Sequence, residues 1–314
     1  MPRLILFRIL QAAPVIVIVS ILAFFLINLL PGDPAVVIAG DQAPPEAIAA
    51  VRHNLGLDRP LIEQLGIWFV HLAQGNFGQS LMLNQSVLSA MGERLPVTLS
   101  LALFSLIITL PIGIFAGAFA AYHRGSWIDS TIMTLALLGV SAPAFWIAIL
   151  AIILFSVILR LFPTGGYVPF ESDPVQWLRA LVLPAAMLSL FQIGFLARMT
   201  RSAMLDVLSQ DYIRTARAKG LSEFAVVLRH ALRNALIPVV TLGALELGTL
   251  LSGAVLTEQV FSVPGFGKLI VDAVFNRDYP VVQGVVLVTA TVYVTLNLLA
   301  DVLYVLINPR MRTA

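Results

Sequence analysis

The chain contains no cysteine, and charged residues make up only 11% of its 314 residues. Without cysteine it can form no disulfide, no thiolate nucleophile and no cysteine-ligated metal site, although its redox compartment stays open. Because 59% of the residues are hydrophobic and the mean hydropathy is +0.94, the chain has more apolar surface than one soluble core would bury. The composition therefore indicates an integral membrane protein.

Motifs for ATP hydrolysis, metal binding and nucleophilic catalysis are also missing from the sequence. A P-loop ends in Lys-Ser or Lys-Thr, whereas the two lysines, Lys219 and Lys268, are followed by Gly and Leu. The four histidines fall in different loops without metal-ligand spacing, and no Ser, His and Asp set points to a common site. We therefore predict that the chain is not an enzyme, binds no metal or cofactor, and depends on another chain for energy from ATP.

Six segments are long and apolar enough to span a membrane as helices. A spanning helix needs about 20 apolar residues, because each residue adds about 1.5 Å against a hydrocarbon core of about 30 Å. The first segment exceeds the apolar core of a signal peptide and lacks a small-residue cleavage site, so we interpret it as a retained span. The sequence thus predicts an all-α integral membrane fold. Its spans are 9–30, 95–122, 131–159, 181–197, 236–256 and 281–307.

The distribution of basic residues predicts the orientation, because Lys and Arg gather in short cytoplasmic loops. With a cytoplasmic N-terminus, twelve of the 19 basic residues fall inside, and six spans return the C-terminus to the cytoplasm. The predicted chain has four parts. They are an N-terminal segment with the first span (1–30), a sizeable periplasmic loop region (31–94), a five-span core (95–307) and a cytoplasmic C-terminus (308–314). The core includes one cytoplasmic loop, 199–234, which we call the basic loop.

The basic loop is predicted to form two short helices separated by Gly220. Glycine suits the left-handed position after a helix that ends near Lys219, and Ser222 suits the N-cap of the next helix. Apolar residues at helical spacing predict a buried face on that second helix, opposite Arg229 and Arg233. The residues of that face are Phe224, Val227, Leu228, Ala231 and Ala235. From these residues alone, the loop either lies on lipid headgroups or docks a partner.

The basic loop resembles the coupling loop of ABC-importer permeases, most of all those of the dipeptide and oligopeptide group. The resemblance rests on residues 211–222 (DYIRTARAKGLS) and 229–238 (RHALRNALIP). Further matches follow in family order at 30–35 (LPGDPA), 55–60 (LGLDRP), 93–99 (ERLPVTL), 141–146 (SAPAFW), 258–267 (EQVFSVPGFG) and 277–280 (RDYP). The general importer pattern, Glu-Ala-Ala and then Gly after three residues, matches only at Ala216 and Gly220, so a salt bridge from its Glu cannot be assumed.

The resemblance implies a six-span type I ABC-importer transmembrane domain in the bacterial inner membrane. A second homologous permease would complete the path, two ATPase subunits carrying ATP and magnesium would bind inside, and a periplasmic or lipoprotein solute-binding protein would bind outside. The cargo would be a di- or oligopeptide, although related permeases carry nickel chelates, glutathione or sugars. The implied ATPase-coupling residues are Tyr212, Arg214, Thr215, Ala216, Arg217, Ala218, Lys219, Gly220 and Leu221. An outside docking or gating role is implied for Glu258, Phe261, Pro264 and Gly265, of which the last two could simply form a turn.

Glu246 is predicted in the middle of the fifth span. A charged residue at that depth is costly and points to function unless it has a partner or water. On a helix, Gly243, Glu246, Thr249 and Gly253 share one side, which suits a helix interface or a water-filled path. We predict that Glu246, Thr249 and Gly253 line a substrate path or gate; the alternatives are a structural hydrogen bond and a proton site. A proton site would make the chain a secondary transporter, and a third alternative is a non-transporting scaffold.

Overall fold

The computed structural model describes residues 2–29, 33–40, 42–54, 56–236, 239 and 247–307. The regular elements of these residues are helical, apart from an isolated antiparallel bridge between Gln79 and Ser86. The predicted all-α fold is therefore confirmed. The chain divides into two compact units, Met1–Val97 with Gly265–Leu298 and Thr98–Pro264 with Leu299–Ala314.

Helices follow one another along the chain, and the longest connections that consist wholly of described residues are 74–86 and 159–173. The elements are α1 (Pro2–Leu29), α2 (Pro34–Ala39), α3 (Pro45–Asn54), α4 (Leu61–Ala73), α5 (Val87–Tyr122), α6 (Trp127–Ser141), α7 (Ala144–Ala151) with the π-helix π1 (Ile152–Ile158), α8 (Pro174–Leu208), α9 (Asp211–Ala218), α10 (Glu223–Ala225) with the π-helix π2 (Val226–Leu232), α11 (Leu247–Val260), α12 (Phe266–Phe275) and α13 (Tyr279–Ile307).

Three helices among the described residues are long and apolar enough to cross a membrane, namely α5, α8 and Tyr279–Leu298 of α13. Helices α5 and α8 contain the predicted second and fourth spans, and α13 as a whole contains the sixth. The third predicted span corresponds to α6 followed by α7 and π1, and these two helical segments meet at a bend of 102° beside Pro143, whose ring removes a backbone donor. Helix α1 includes residues 9–29 of the predicted first span. Of the fifth predicted span, residues 237–238 and 240–246 lie outside the described residues.

In the unit built from Thr98–Pro264, glycines let the long helices approach closely. A Cβ atom on Gly117 of α5 would collide with the carbonyl oxygen of Ala197 and with Thr200, both on α8. One turn earlier, a Cβ on Gly113 would lie 2.9 Å from Leu196. Gly194 of α8 meets the backbone of α6 in the same way. Small residues spaced by four commonly form helix contacts in lipid. No hydrophobic effect drives helices together there, so they associate through close packing.

The other unit has a core in which the start of α5 packs against α12 and the start of α13. Its buried residues are Val87, Ala90, Met91, Phe266, Leu269, Ala273, Val281, Val282 and Val285. The Ser80 hydroxyl donates to Asp278 Oδ2 at 2.5 Å, and Gln283 Nε2 donates to the Ala23 carbonyl of α1 at 3.3 Å. These bonds fix the 76–86 loop and α1 to the same core.

Candidate functional site

Helix α9 buries a narrow apolar face and exposes a broad polar one. Ile213 and Ala216 are buried in a cluster with Met204 of α8 and with Val226 and Ala231 of π2. The remaining residues predicted to couple are exposed: Tyr212, Arg214, Thr215, Arg217, Ala218, Lys219, Gly220 and Leu221. Ala216 is thus the exception among the predicted coupling residues, because its methyl group anchors the helix and does not reach the surface.

Gly220 forms the predicted left-handed turn between the two helices of the basic loop. Its φ is +78°, and α9 ends two residues earlier, at Ala218. No heavy atom would lie within 4 Å of a Cβ at this position, so only the backbone conformation requires glycine. The next helix is capped by Ser222, whose side chain accepts from the Ala225 amide at 3.4 Å. Both local predictions for this turn are confirmed.

Two polar contacts join α9 to the helix that follows Gly220. Arg217 donates to both carboxylate oxygens of Glu223, at 2.7 and 3.3 Å. Asn234 Nδ2 donates to the Tyr212 hydroxyl at 2.8 Å. The Arg217–Glu223 pair is about half-exposed, so it adds only about 0–1 kcal/mol of stability. The pair links the two segments on either side of Gly220.

The predicted apolar face of the second helix is partly wrong. Val227, Ala231 and Ala235 are buried as expected, but Phe224 and Leu228 are exposed. The reason is the π-helix π2, whose wider turns bring residues five apart onto one side. Val226, which the 3.6-residue period leaves out, is therefore fully buried together with Ala231.

A buried ion pair connects the start of α6 to α8, and sequence reasoning missed it. Asp129 accepts from Arg201 Nε at 2.6 Å and from an Arg201 terminal nitrogen at 2.7 Å. Its Oδ2 also accepts from the Gly125 amide at 3.0 Å, and its side chain is only 6% exposed. The available signal was an aspartate just before an apolar span, on the same predicted side of the membrane as the arginines of the basic loop, and this signal does not identify the partner.

The residues predicted to dock or gate on the outside are mostly buried. Glu258 is fully buried and accepts from the Thr98 hydroxyl at 2.5 Å. Phe261 is also buried, and its carbonyl accepts from the Gly166 amide at 2.9 Å. Buried side chains cannot form a docking surface, so the docking role predicted for Glu258 and Phe261 is wrong. Their gating role stays a prediction.

The turn predicted at Pro264-Gly265 lies earlier in the chain. It centres on Phe261 and Ser262, where Ser262 has a φ of +51° and the Val263 amide donates to the Glu258 carbonyl at 2.9 Å. Pro264 is partly buried, and Gly265 is the buried N-cap of α12.

The predicted path residues can be located only in part. Gly243 and Glu246 lie outside the described residues, and Thr249 and Gly253 are described only as backbone of α11. Their role in a path or gate therefore stays a prediction.

Comparisons with known proteins give a consistent result over the whole chain. The profile described as "Binding-protein-dependent transport system inner membrane component" matches residues 110–313. The corresponding N-terminal profile matches residues 1–102.

Similar proteins of known name are permeases. A peptide transport system permease protein of Brucella abortus is 55% identical over 312 residues, which cover 99% of each chain. The di/tripeptide transport system permease protein DppB of Pseudomonas aeruginosa is 45% identical, covering 94% of each chain. The glutathione transport system permease protein GsiC of Salmonella typhi is also 45% identical, covering 97% of each chain.

Among solved structures, a chain of the inward-facing MetNI methionine ABC transporter has a TM-score of 0.54 at 19% sequence identity. The match covers 71% of this chain and 96% of that chain. At this identity the likeness concerns the fold alone, and it agrees with the predicted type I transmembrane domain.

Proposed function

The chain belongs to the family of binding-protein-dependent transport system inner membrane components, and on that premise we propose that it is the permease subunit of an ATP-driven importer of di- or oligopeptides. The names of its relatives support this cargo, because they include peptide and di/tripeptide permeases at 45–55% identity. A glutathione permease at 45% identity keeps glutathione in the set of cargoes to be tested. The names give no support to nickel chelates or sugars.

The proposed assembly has four other subunits around this chain. A second homologous permease completes the path, two ATPase subunits bind inside, and a solute-binding protein delivers cargo from outside. The ATPase subunits hold ATP and magnesium, since neither lysine of this chain lies in a P-loop sequence. The excess of basic residues in the basic loop favours cytoplasmic N- and C-termini.

The observation that carries the proposal is the division of α9 into two faces. Its exposed face, with Tyr212, Arg214 and Lys219, is free for an ATPase groove, while Ile213 fixes the other face to Met204 of α8. Only Ser209 and Gln210 separate α9 from α8. A displacement of α9 on ATPase closure would therefore pass directly into α8. The Arg217–Glu223 pair would make the segments on both sides of Gly220 move together.

The outer half of the proposed path involves α11. Glu258 and Phe261, at the end of this helix, are suited to gating because they are buried and hydrogen-bonded to neighbouring segments. Glu246, Thr249 and Gly253 are proposed to line the path. If Glu246 is ionised beside the path, its carboxylate would attract the amino group of a peptide.

Mass spectrometry of the tagged chain, purified from its native host in mild detergent, tests the proposed partners. We compare wild type with Gly220→Val, and use Gly75→Val as the matched control. Both glycines have an open site and nearly equal φ, +78° and +75°, so both variants carry the same backbone strain. We expect a second permease and an ATPase with wild type, and loss of the ATPase with Gly220→Val alone. Recovery of the chain alone, under conditions that preserve a known ABC complex, would contradict the proposal.

Transport by the reconstituted complex tests the cargo and separates the proposal from a proton-coupled carrier. We expect uptake that requires ATP and the binding protein, and that is inhibited by unlabelled di- and oligopeptides more strongly than by a nickel chelate or a sugar. A secondary transporter using Glu246 would instead be driven by a pH gradient in the isolated chain, and Glu246→Gln would abolish its uptake.

A further inference from the structure

An apolar cleft of about 580 Å³ lies between the last turns of α5 and the helix that follows Gly220. Phe115, Phe119 and Tyr122 form one wall, and Phe224 and Leu228 form the other. All five side chains are exposed, up to 74% for Phe224. Lipid-exposed Phe115 and Phe119 are expected on a membrane helix, but Phe224 and Leu228 belong to the basic loop, where a contiguous exposed apolar surface marks a binding site for an apolar partner.

A polar pocket of about 420 Å³ adjoins this cleft and shares Tyr122 and Val227 with it. Arg124, Arg217 and Glu223 line the polar pocket. Arg217 is paired with Glu223, whereas the exposed side chain of Arg124 forms no ion pair with a described residue. The lining of the polar pocket therefore has a net charge of +1, because Glu223 neutralises Arg217 and leaves the charge of Arg124.

Along the end of α5, the lining of the two adjoining cavities passes from apolar side chains to a cationic one. The apolar helix α5 ends at Tyr122, and the polar residues His123 and Arg124 follow at once. Tyrosine and basic side chains at the end of a span are typical of the headgroup level of a bilayer. The apolar cleft therefore extends from that level along α5 towards the acyl chains.

We propose that this composite site binds a phospholipid with an anionic headgroup, with an acyl chain in the apolar cleft and the phosphate at Arg124. The polarity of the site favours an amphiphile over a protein partner, because the cleft is almost entirely carbon-lined and the cationic group stands at one end only. A bound lipid would join α5 to the helix after Gly220, next to the Arg217–Glu223 pair. The proposal does not depend on the cargo.

Native mass spectrometry with added lipid tests the headgroup contact. The chain is purified with the subunits that accompany it, delipidated, and titrated with phosphatidylglycerol or phosphatidylcholine. We expect preferential retention of phosphatidylglycerol, about fivefold weaker in Arg124→Gln, because a basic residue near a membrane surface contributes about 1 kcal/mol to anionic lipid binding. Arg124→Lys should keep the preference. The control Arg198→Gln removes the same charge from an exposed position on α8 outside both cavities, and should bind like wild type.

Photo-crosslinking tests the position of the acyl chain. Phosphatidylglycerol with a diazirine on the acyl chain should label peptides that contain residues 115–122 and 224–228. Equal retention of the two lipids, equal effects of Arg124→Gln and Arg198→Gln, or labelling elsewhere in the chain would each overturn the proposal. A photo-reactive amino acid at Phe224 that crosslinks a protein chain instead of lipid would overturn it as well, since the cleft would then be a protein interface.

Discussion

Single residues fix the geometry of the basic loop and of its attachment to the spans. The turn at Gly220 and the cap at Ser222 could be predicted, because each depends on backbone conformation and on atoms only a few residues away. The Asp129–Arg201 pair could not be predicted, since the two residues are 72 positions apart and meet only when α6 packs on α8. The burial of Val226 was missed for a different reason, because a π-helix changes the period on which the prediction relied.

The two arginine pairs of this region should differ strongly in their contribution to stability. Arg201→Gln leaves the Asp129 carboxylate buried and without its cationic partner, which should lower the free energy of unfolding by about 3–5 kcal/mol. Arg217→Gln breaks a half-exposed pair and should cost about 0–1 kcal/mol. Thermal unfolding of both variants in the same detergent measures the difference. Equal losses of stability would mean that burial of Asp129 has no energetic consequence.

Among the helices, α8 packs closely against both α5 and α6, and glycines stand at these contacts. The second, fourth and sixth spans were predictable from length and hydropathy, although α8 begins seven residues before its predicted span and ends eleven after it. The close contacts were not predictable in the same way. A glycine in an apolar helix carries no sign of which neighbour it will meet, and Gly113, Gly117 and Gly194 acquire their role only from the packing.

Enlarging Gly117 should separate α5 from α8. Its Cβ would collide with the Ala197 carbonyl oxygen, which belongs to a backbone and cannot rotate away. We expect Gly117→Val to lower the free energy of unfolding by about 1–3 kcal/mol. Gly92→Ala is the control in the same helix, because no heavy atom lies within 4 Å of a Cβ there, and it should leave stability unchanged or slightly raised. Similar unfolding temperatures for the two variants would contradict the close contact.

At the scale of the whole molecule, composition and hydropathy were sufficient to predict a helical membrane protein. The family followed from short motifs in order along nearly the whole chain, and matching profiles and relatives bear it out. Surfaces for other subunits were harder to predict. Ala216 and Glu258 belong to family motifs yet are buried, because a motif records which residues matter and not whether they face a partner.

Binding of an ATPase subunit to the exposed face of α9 can be tested by cysteine crosslinking. The chain has no cysteine of its own, so each introduced cysteine is the single reactive thiol. Single cysteines replace Ala218, which is exposed, and Ala216, which is two residues away and only 7% exposed. A bifunctional thiol reagent is then applied to membranes that contain an ATPase with one cysteine beside its proposed groove. We predict a permease–ATPase adduct with Ala218→Cys and none with Ala216→Cys. No adduct from Ala218→Cys while the ATPase still co-purifies, or equal adducts from both variants, would contradict the account.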